Sequence, residues 1–289
     1  MRRGSIVRLR EVSGSVALHD ARHPIDRTEE PHMRHVPDLF SLAGQVAIVT
    51  GAGKGIGRAS ALALAQGGAD VALAARTSAD IESVAGEVRA LGRRAIVVPC
   101  DVNDEAALDN LVQRTVAELG KVTILVNNAG GAGPNDPRRM SGKDFSAALV
   151  WNVAPAYLLI QKCAKPMREA GGGSVINISS TAARYAQKHF SAYGTAKAAL
   201  NQLTRNLAQD LAPHVRVNAI EPGSILTDAL APHLTPERRA AMIERTPLAR
   251  LGEVEDIAAA VLFLAAPASG WISGKILGVD GGAEAPIWV

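Results

Sequence analysis

The sequence predicts an α/β fold, a single doubly wound domain with a seven-stranded parallel sheet. Three observations predict it. From Leu42 onward, short β-branched or aliphatic runs alternate with longer helical stretches. The runs are apolar along their whole length, the pattern of strands covered by helices on both faces. The first run passes directly into a glycine-rich turn and an Ala- and Leu-rich helix, a usual opening for such a sheet.

Strands are expected at 46–50, 71–75, 95–99, 124–127, 175–179, 215–220 and 276–279. Helices are expected near 56–67, 79–91, 104–119, 142–169, 191–211, 236–244 and 254–265. The helix at 191–211 carries an apolar stripe of Ala196, Leu200, Leu203, Leu207 and Leu211, and Pro213 stops it. The chain shows no internal repeat and no long linker, so residues 41–289 form one domain. Residues 1–40 lack periodicity and mix Arg, His, Pro and acids. They read as a poorly ordered extension, or as a leader ahead of a true start at Met33. No apolar stretch follows the early arginines, so this is not a secretory signal.

Composition narrows the class. Hydrophobic residues make up 47% and charged residues 20%, the balance of a globular chain. No apolar run approaches the ~20 residues of a membrane span. A net charge of +3 is too small to argue for nucleic acid or a membrane surface as partner. Cys100 and Cys163 form no CxxC and sit in apolar surroundings, so they read as reduced and structural, consistent with a cytoplasmic location. The histidines have no metal-ligand spacing, and no metal is expected. Aromatics are only 3%, so Ala, Val, Leu and Ile must build the core.

The chemistry-bearing residues cluster at the predicted strand ends. The turn Thr50-Gly51-Ala52-Gly53-Lys54-Gly55-Ile56-Gly57 joins the first strand to the first helix. Such a turn lets the backbone approach a pyrophosphate, with the helix N-terminus facing it. Arg58 and Ala59 follow Gly57, where a P-loop needs Lys and Ser/Thr. A tight turn with no ligand is the plainer alternative. The second strand ends in Ala75-Arg76-Thr77, with no acid for a ribose 2′-hydroxyl. Arg76 and Lys54 instead suit a 2′-phosphate, so NADP(H) is expected over NAD(H). Asp101-Val102 ends the third strand, where the carboxylate can accept from an adenine amino group. Asn127-Asn128-Ala129-Gly130 ends the fourth. Asn152 lies mid-helix, where Asn needs a hydrogen-bonding reason. Pro222-Gly223-Ser224-Ile225-Leu226-Thr227 follows the sixth strand at the ligand-binding edge.

Tyr193 and Lys197 lie at i and i+4, on one helix face. An ammonium group there is expected to lower the phenol's pKa and ready it for proton transfer, although Tyr-x3-Lys also arises by chance on solvated helices. Ser180 lies thirteen residues before Tyr193.

In order, TGAGKGIG, DV, NNAG, Asn152, Ser180, YGTAK and PGSILT resemble the pattern of the classical short-chain dehydrogenase/reductase family over about residues 42–283. The stretches NNAGGAGP, PGSILTDAL and TPLARLGEVEDIAAAVLFLAAP are most similar to its bacterial 7α-hydroxysteroid dehydrogenases. The resemblance implies a Rossmann fold and hydride transfer between NADP(H) and a carbonyl or secondary alcohol. It implies a catalytic set of Asn152, Ser180, Tyr193 and Lys197, with Asn152 holding a water in a relay to Lys197. Ser179 is the competing assignment for Ser180, which the thirteen-residue spacing favours. The cofactor site it implies comprises Gly51, Gly53, Lys54, Gly55, Ile56, Gly57, Arg76, Thr77, Asp101, Val102, Asn128, Ala129, Gly130, Tyr193, Lys197, Pro222, Gly223, Ile225 and Thr227. It implies a small-molecule substrate and a homodimer or homotetramer. An NAD-dependent hydroxysteroid-type enzyme and a non-catalytic NADP(H) sensor are the alternatives. An enoyl reductase on this fold would space its tyrosine and lysine further apart.

The substrate pocket is expected between residues 131–134, 181–190 and the segment after Thr227. Tyr185, His189 and Phe190 serve there as substrate contacts or as packing. Residues 228–246, a charged helix between prolines, read as a lid or as a surface excursion. The apolar tail 285–289 is expected against protein, with a second subunit as candidate.

Overall fold

The computed structural model describes residues 35–228, 230–231 and 234–287. The expected extension as far as residue 34, part of the 228–246 excursion, and Trp288 and Val289 of the tail lie outside the described residues. Val36–Phe40, inside the expected extension, form a 3-10 turn. Its Phe40 ring lies 6.3 Å from that of Phe263, which ties this stretch to the body of the domain.

The elements follow in order: β1 (Val46–Thr50), α1 (Gly55–Gln66), β2 (Asp70–Ala75), α2 (Ser78–Ala90), β3 (Ala95–Pro99), α3 (Glu105–Leu119), β4 (Ile124–Asn127), α4 (Gly142–Glu169), β5 (Gly173–Ile178), α5 (Ser191–Asp210), β6 (Val215–Pro222), α6 (Pro236–Glu244), α7 (Val254–Ala265) and β7 (Ile276–Val279). The strands make one sheet in the order β3-β2-β1-β4-β5-β6-β7, and every pairing is parallel. The expected doubly wound Rossmann architecture is therefore present.

Alternation along the strands explains the two layers. Ala47 and Val49 of β1 face the helices α1, α2 and α7, packing with Leu64, Ile81, Val84 and Val261. Val46 and Ile48 face the other way, onto Leu108 and Leu111 of α3 and Leu159 and Ile160 of α4. Side chains alternate with a period of two, so an uninterrupted apolar strand feeds both cores. β6 runs two residues beyond its expected end, because Glu221 and Pro222 stay in register with Gly278 and Val279 of β7. A charged residue and a proline read as a strand stop; here they occupy the strand's last two positions.

The α5 stripe differs from expectation. Its buried face is Ala192, Ala196, Lys197, Leu200, Asn201, Thr204 and Ala208, and Leu203 and Leu207 are only half-buried. The polar members are bonded inside. Asn127 Nδ2 donates to Asn177 Oδ1 at 2.9 Å, and Asn177 Nδ2 donates to Thr204 Oγ1 at 2.9 Å. This chain of bonds ties β4, β5 and α5 together beneath the site.

At the opposite edge of the sheet, the buried Asp70 carboxylate accepts from Arg93 Nη2 at 2.7 Å, Arg94 Nε at 2.7 Å and the Arg94 backbone N–H at 2.9 Å. Burial alone would raise its pKa; the hydrogen bonds from Arg94 and the charges of Arg93 and Arg94 outweigh it and hold the carboxyl below its ordinary 3.8. Asp70→Asn should cost about 2 kcal/mol of stability at pH 7, with Arg94 half-exposed and partly screened. A depressed carboxyl stabilises above its unfolded pKa and loses that contribution as pH falls through the folded value. The gap between wild type and variant in urea denaturation should therefore narrow below about pH 4. A gap unchanged down to about pH 3 would refute the charged network.

Candidate active site

The turn between β1 and α1 opens on the carboxyl edge of the sheet, where the strand order reverses between β1 and β4. Open α/β sheets bind ligands at this point. A cavity of about 1000 Å³ runs along the edge and is lined by Gly51, Gly53, Lys54, Gly55 and Ile56 of the turn. Lys54 is the N-cap of α1, in extended conformation and with no side-chain cap hydrogen bond, so the first N–H groups of the helix receive no side-chain acceptor. Gly57 is buried and does not line the cavity. A Cβ there would fall 2.1 Å from the Gly51 carbonyl oxygen. Glycine there lets the helix start directly against the turn.

Arg76 and Thr77, at the end of β2, line the same cavity. The Arg76 guanidinium lies 6.0 Å from the centre of the Trp151 ring, a side chain that also reaches the cavity. Lys54 Nζ lies 3.3 Å from Asp80 Oδ2. Arg76 at the strand end and Lys54 in the turn were expected with no acid beside them, and Asp80 corrects that expectation. The carboxylate comes from the next helix. The first turn of α2 packs so closely under the glycine turn that a Cβ on Gly53 would lie 2.8 Å from Asp80 Cβ.

Asp101 and Val102 line the cavity after β3, beside Cys100. Asp101 Oδ1 accepts from the backbone N–H and Nδ2 of Asn103, each at 3.0 Å. Burial and the charges of Asp101 and Asp104 push the Cys100 thiol up to about 11. After β4, the Asn128 amide is spent on the turn, donating to the Thr50 carbonyl at 2.9 Å and the Gly51 carbonyl at 3.2 Å. Thr50 Oγ1 accepts in return from the N–H groups of Asn128 and Ala129. Asn128, Ala129 and Gly130 all border the cavity. A Cβ on Gly130, whose φ is +155°, would stand 2.9 Å from Asn152 Oδ1 and 3.3 Å from Lys197 Nζ, so glycine is what allows these two groups to flank the chain there. Pro222, Gly223, Ile225 and Thr227 close the edge after β6.

The mid-helix Asn152 now has its reason. Oδ1 accepts from Gly131 N–H at 2.9 Å, and Nδ2 donates to the Ala148 carbonyl at 2.9 Å and the Gly131 carbonyl at 3.3 Å. Asn152 and Lys197 both line a separate cavity of about 10 Å³, close to the room one water needs.

Ser180 follows β5, and Tyr193 and Lys197 occupy the first two turns of α5. Ser180 and Tyr193 both face the cavity, and Ser180 Oγ accepts from the Ala182 N–H at 3.2 Å. Ser179 is buried, and its hydroxyl donates to the Lys197 carbonyl at 3.3 Å. Lys197 Nζ is buried, donates to the Ile178 carbonyl at 2.9 Å and stands 5.7 Å from the Tyr193 ring centre. The electrostatics differ from expectation. Burial raises the Tyr193 phenol above its ordinary value, and the nearby Ser180 hydroxyl offsets this only in part. Burial also lowers the Lys197 ammonium to about 8. The ammonium lies toward the ring and bonds a backbone carbonyl, so desolvation outweighs its pull on the phenol.

Residues 131–134, Thr181, Ala182, Gln187, Phe190, Asp228 and Leu230 form the rest of the wall. Helix α6 contributes no lining residue among those described; the contacts come from Asp228 and Leu230 ahead of it. His189 pairs with Asn135 across two loops, its carbonyl accepting from Asn135 N–H at 2.7 Å. Tyr185 Oη donates to the Ala283 carbonyl at 2.6 Å. Arg184 pairs with Asp280 and, at 3.5 Å, with Glu221. These bonds tie the tail to the loop after Ser180, and Ile287 is buried between the main cavity and a neighbouring one of about 150 Å³. Ile287 is thus used within its own chain. Asp80, Trp151 and Ile287 are the site residues that sequence reasoning missed. The tail's apolarity was the available signal for Ile287.

A family model described as enoyl-(acyl carrier protein) reductase matches residues 51–284. An uncharacterised oxidoreductase of Mycobacterium tuberculosis is 50% identical over 251 residues, 86% of this chain and 95% of the relative. The 7α-hydroxysteroid dehydrogenase of Escherichia coli is 44% identical over 246 residues, 85% of this chain and 96% of the relative. A solved 7α-hydroxysteroid dehydrogenase, complexed with NADH and 7-oxo glycochenodeoxycholic acid, superposes with a TM-score of 0.83 at 43% identity, covering 85% of this chain and 96% of its own. With the fold in common and nearly the whole domain matched, the chain belongs to the short-chain dehydrogenase/reductase family, nicotinamide-dependent oxidoreductases.

Proposed function

We propose that this protein is an NADP(H)-dependent oxidoreductase that interconverts a carbonyl and a secondary alcohol, with Tyr193 as its general acid and base. The observation that carries the reading is that Ser180 and Tyr193 share the wall of the cavity onto which the α1 N-terminus opens. The residues present fit a dinucleotide. The turn lacks Cβ atoms where a pyrophosphate would approach, the helix start has no side-chain cap, and Arg76 and Lys54 sit beside it. When bound, the nicotinamide supplies or takes up the hydride.

The side chains carry the proton. Tyr193, kept protonated at neutral pH by burial, donates to the forming alkoxide in reduction; in oxidation it must first lose its proton and then accepts one from the alcohol. Ser180 donates a hydrogen bond to the substrate oxygen and stabilises its developing charge. Lys197 and Asn152 border the water-sized cavity, where a water would relay a proton to Lys197. The spacing of Tyr193 and Lys197 favours alcohol and carbonyl chemistry over enoyl reduction, despite the description of the matched family model. A homodimer or homotetramer is proposed from the family resemblance.

The cofactor preference rests on Arg76 and Lys54. Arg76→Ala should raise KM for NADPH about tenfold and leave KM for NADH within about twofold, because only NADPH carries the 2′-phosphate. Equal effects on both would remove the phosphate role. Two observations favour a second reading, an NAD-dependent hydroxysteroid dehydrogenase: the relative solved with NADH and an oxo bile acid, and Asp80 beside Lys54. The two readings are tested by following nicotinamide absorbance against secondary alcohols, ketones and 7-oxo or 7-hydroxy steroids, with both cofactors. Turnover of alcohols or ketones is expected. Turnover confined to enoyl thioesters would overturn it.

A further inference from the structure

We propose that Asp80 is a specificity-determining residue that acts as counter-ion to Lys54, withdrawing that cation from a 2′-phosphate and so keeping the site open to NADH. The inference rests on the reading of the cavity as a nicotinamide dinucleotide site. It goes beyond the preference argued from Arg76 and Lys54, because it assigns a residue that opposes that preference.

Three observations carry it. Lys54 Nζ and Asp80 Oδ2 are 3.3 Å apart, and both residues line the cavity that Arg76 and Thr77 also line. The two partners differ in freedom. The Asp80 side chain is 29% exposed and the Lys54 side chain 66%. Asp80 lies so close to the glycine turn that even a methyl on Gly53 would collide with it at 2.8 Å. The carboxylate is therefore the fixed member and the ammonium the movable one. Arg76, finally, has its own partner in the Trp151 ring, at 6.0 Å.

The charge balance follows. Lys54 and Asp80 sum to zero, so the paired turn offers a phosphate dianion no net attraction. A ribose hydroxyl meets no such penalty, since a carboxylate can accept from it. Asp80 also lies in the first turn of α2, where a negative charge is favoured by the helix dipole. That purely structural role is the alternative to be separated.

The test is equilibrium binding, read from reduced-nicotinamide fluorescence on full-length protein, for wild type, Asp80→Asn, Lys54→Met and the double variant. Asp80→Asn should tighten NADPH about 3- to 10-fold while NADH stays within about twofold or weakens, and the gain should shrink at high salt. In the Lys54→Met background the gain should disappear. The ratio of the two Kd values is insensitive to partial unfolding, so a destabilised α2 does not mimic the result. Equal shifts for both cofactors would reduce Asp80 to a helix-end residue and overturn the proposal. A selective gain that persists without Lys54 would overturn the counter-ion role. A wild type that binds NADH better than NADPH, with a ratio unmoved by Arg76→Ala, would sink the NADP preference. In that case the shift caused by Asp80→Asn still decides this inference.

Discussion

Tyr193→Phe should lower kcat by about 10²- to 10⁴-fold, the usual contribution of a positioned acid–base group, while NADPH affinity changes by about tenfold at most. The substitution removes one oxygen and keeps the ring, which packs edge-on against Phe190 at 6.1 Å. The wall of the cavity therefore persists, and the lost function reports the hydroxyl alone. Direction adds a second check. Burial holds the phenol protonated across the neutral range. Reduction needs that protonated form and should be level with pH until the phenol titrates. Oxidation needs the phenolate and should climb as pH rises. Stopped-flow and steady-state rates in both directions measure this. A Tyr193→Phe enzyme that keeps about a tenth of wild-type kcat would end the assignment.

The fold was readable because its signals are local. Apolar strands buried on both faces, a glycine turn and helix-length polar stretches alternate without interruption, and each element lies within a few residues of its expected position. The site residues at strand ends were readable for the same reason, since strand order alone brings Gly51, Arg76, Asp101, Gly130 and Ser180 to one edge. What could not be read depends on how far one element folds back on another. Asp80 belongs to a helix turn whose approach to Gly53 is a packing distance with no trace in spacing. Ile287 lines the cavity from a tail whose preceding residues, Asp280 and Ala283, bond to Arg184 and Tyr185, contacts that spacing does not report. The Tyr193–Lys197 pair shows the limit most sharply. An i, i+4 spacing places two side chains on one face, but the sign of a pKa shift depends on burial, which spacing does not report.

Lys197→Met should abolish about 99% of turnover or more, of the order expected for the loss of a proton-relay partner, yet leave the unliganded protein as stable as wild type or more so at pH 7. Lys197 is only 4% exposed, and its Nζ donates to one carbonyl, that of Ile178, at 2.9 Å. Burial lowers its pKa from 10.5 to about 8. The folded chain thus binds its proton less tightly than the unfolded chain, and below pH 8 folding bears the full cost, about 3 kcal/mol. Between about pH 8 and 10.5 the unfolded state alone holds the proton, so wild-type stability gains from this group as pH rises. Methionine removes the cost at every pH. It also leaves the Ile178 carbonyl without its donor, at about 1–3 kcal/mol, so the net gain at pH 7 should lie between zero and about 2 kcal/mol. The advantage should disappear as pH rises and reverse by pH 10.5 to a loss of about 1–2 kcal/mol. Calorimetry of both proteins across pH 7 to 10.5 measures the difference. A variant less stable than wild type at pH 7 by the same amount as at pH 10.5 would show that the lysine is held by the fold as a structural hydrogen-bond donor. The expected crossing would show instead that stability is given up to keep a charged group next to the phenol.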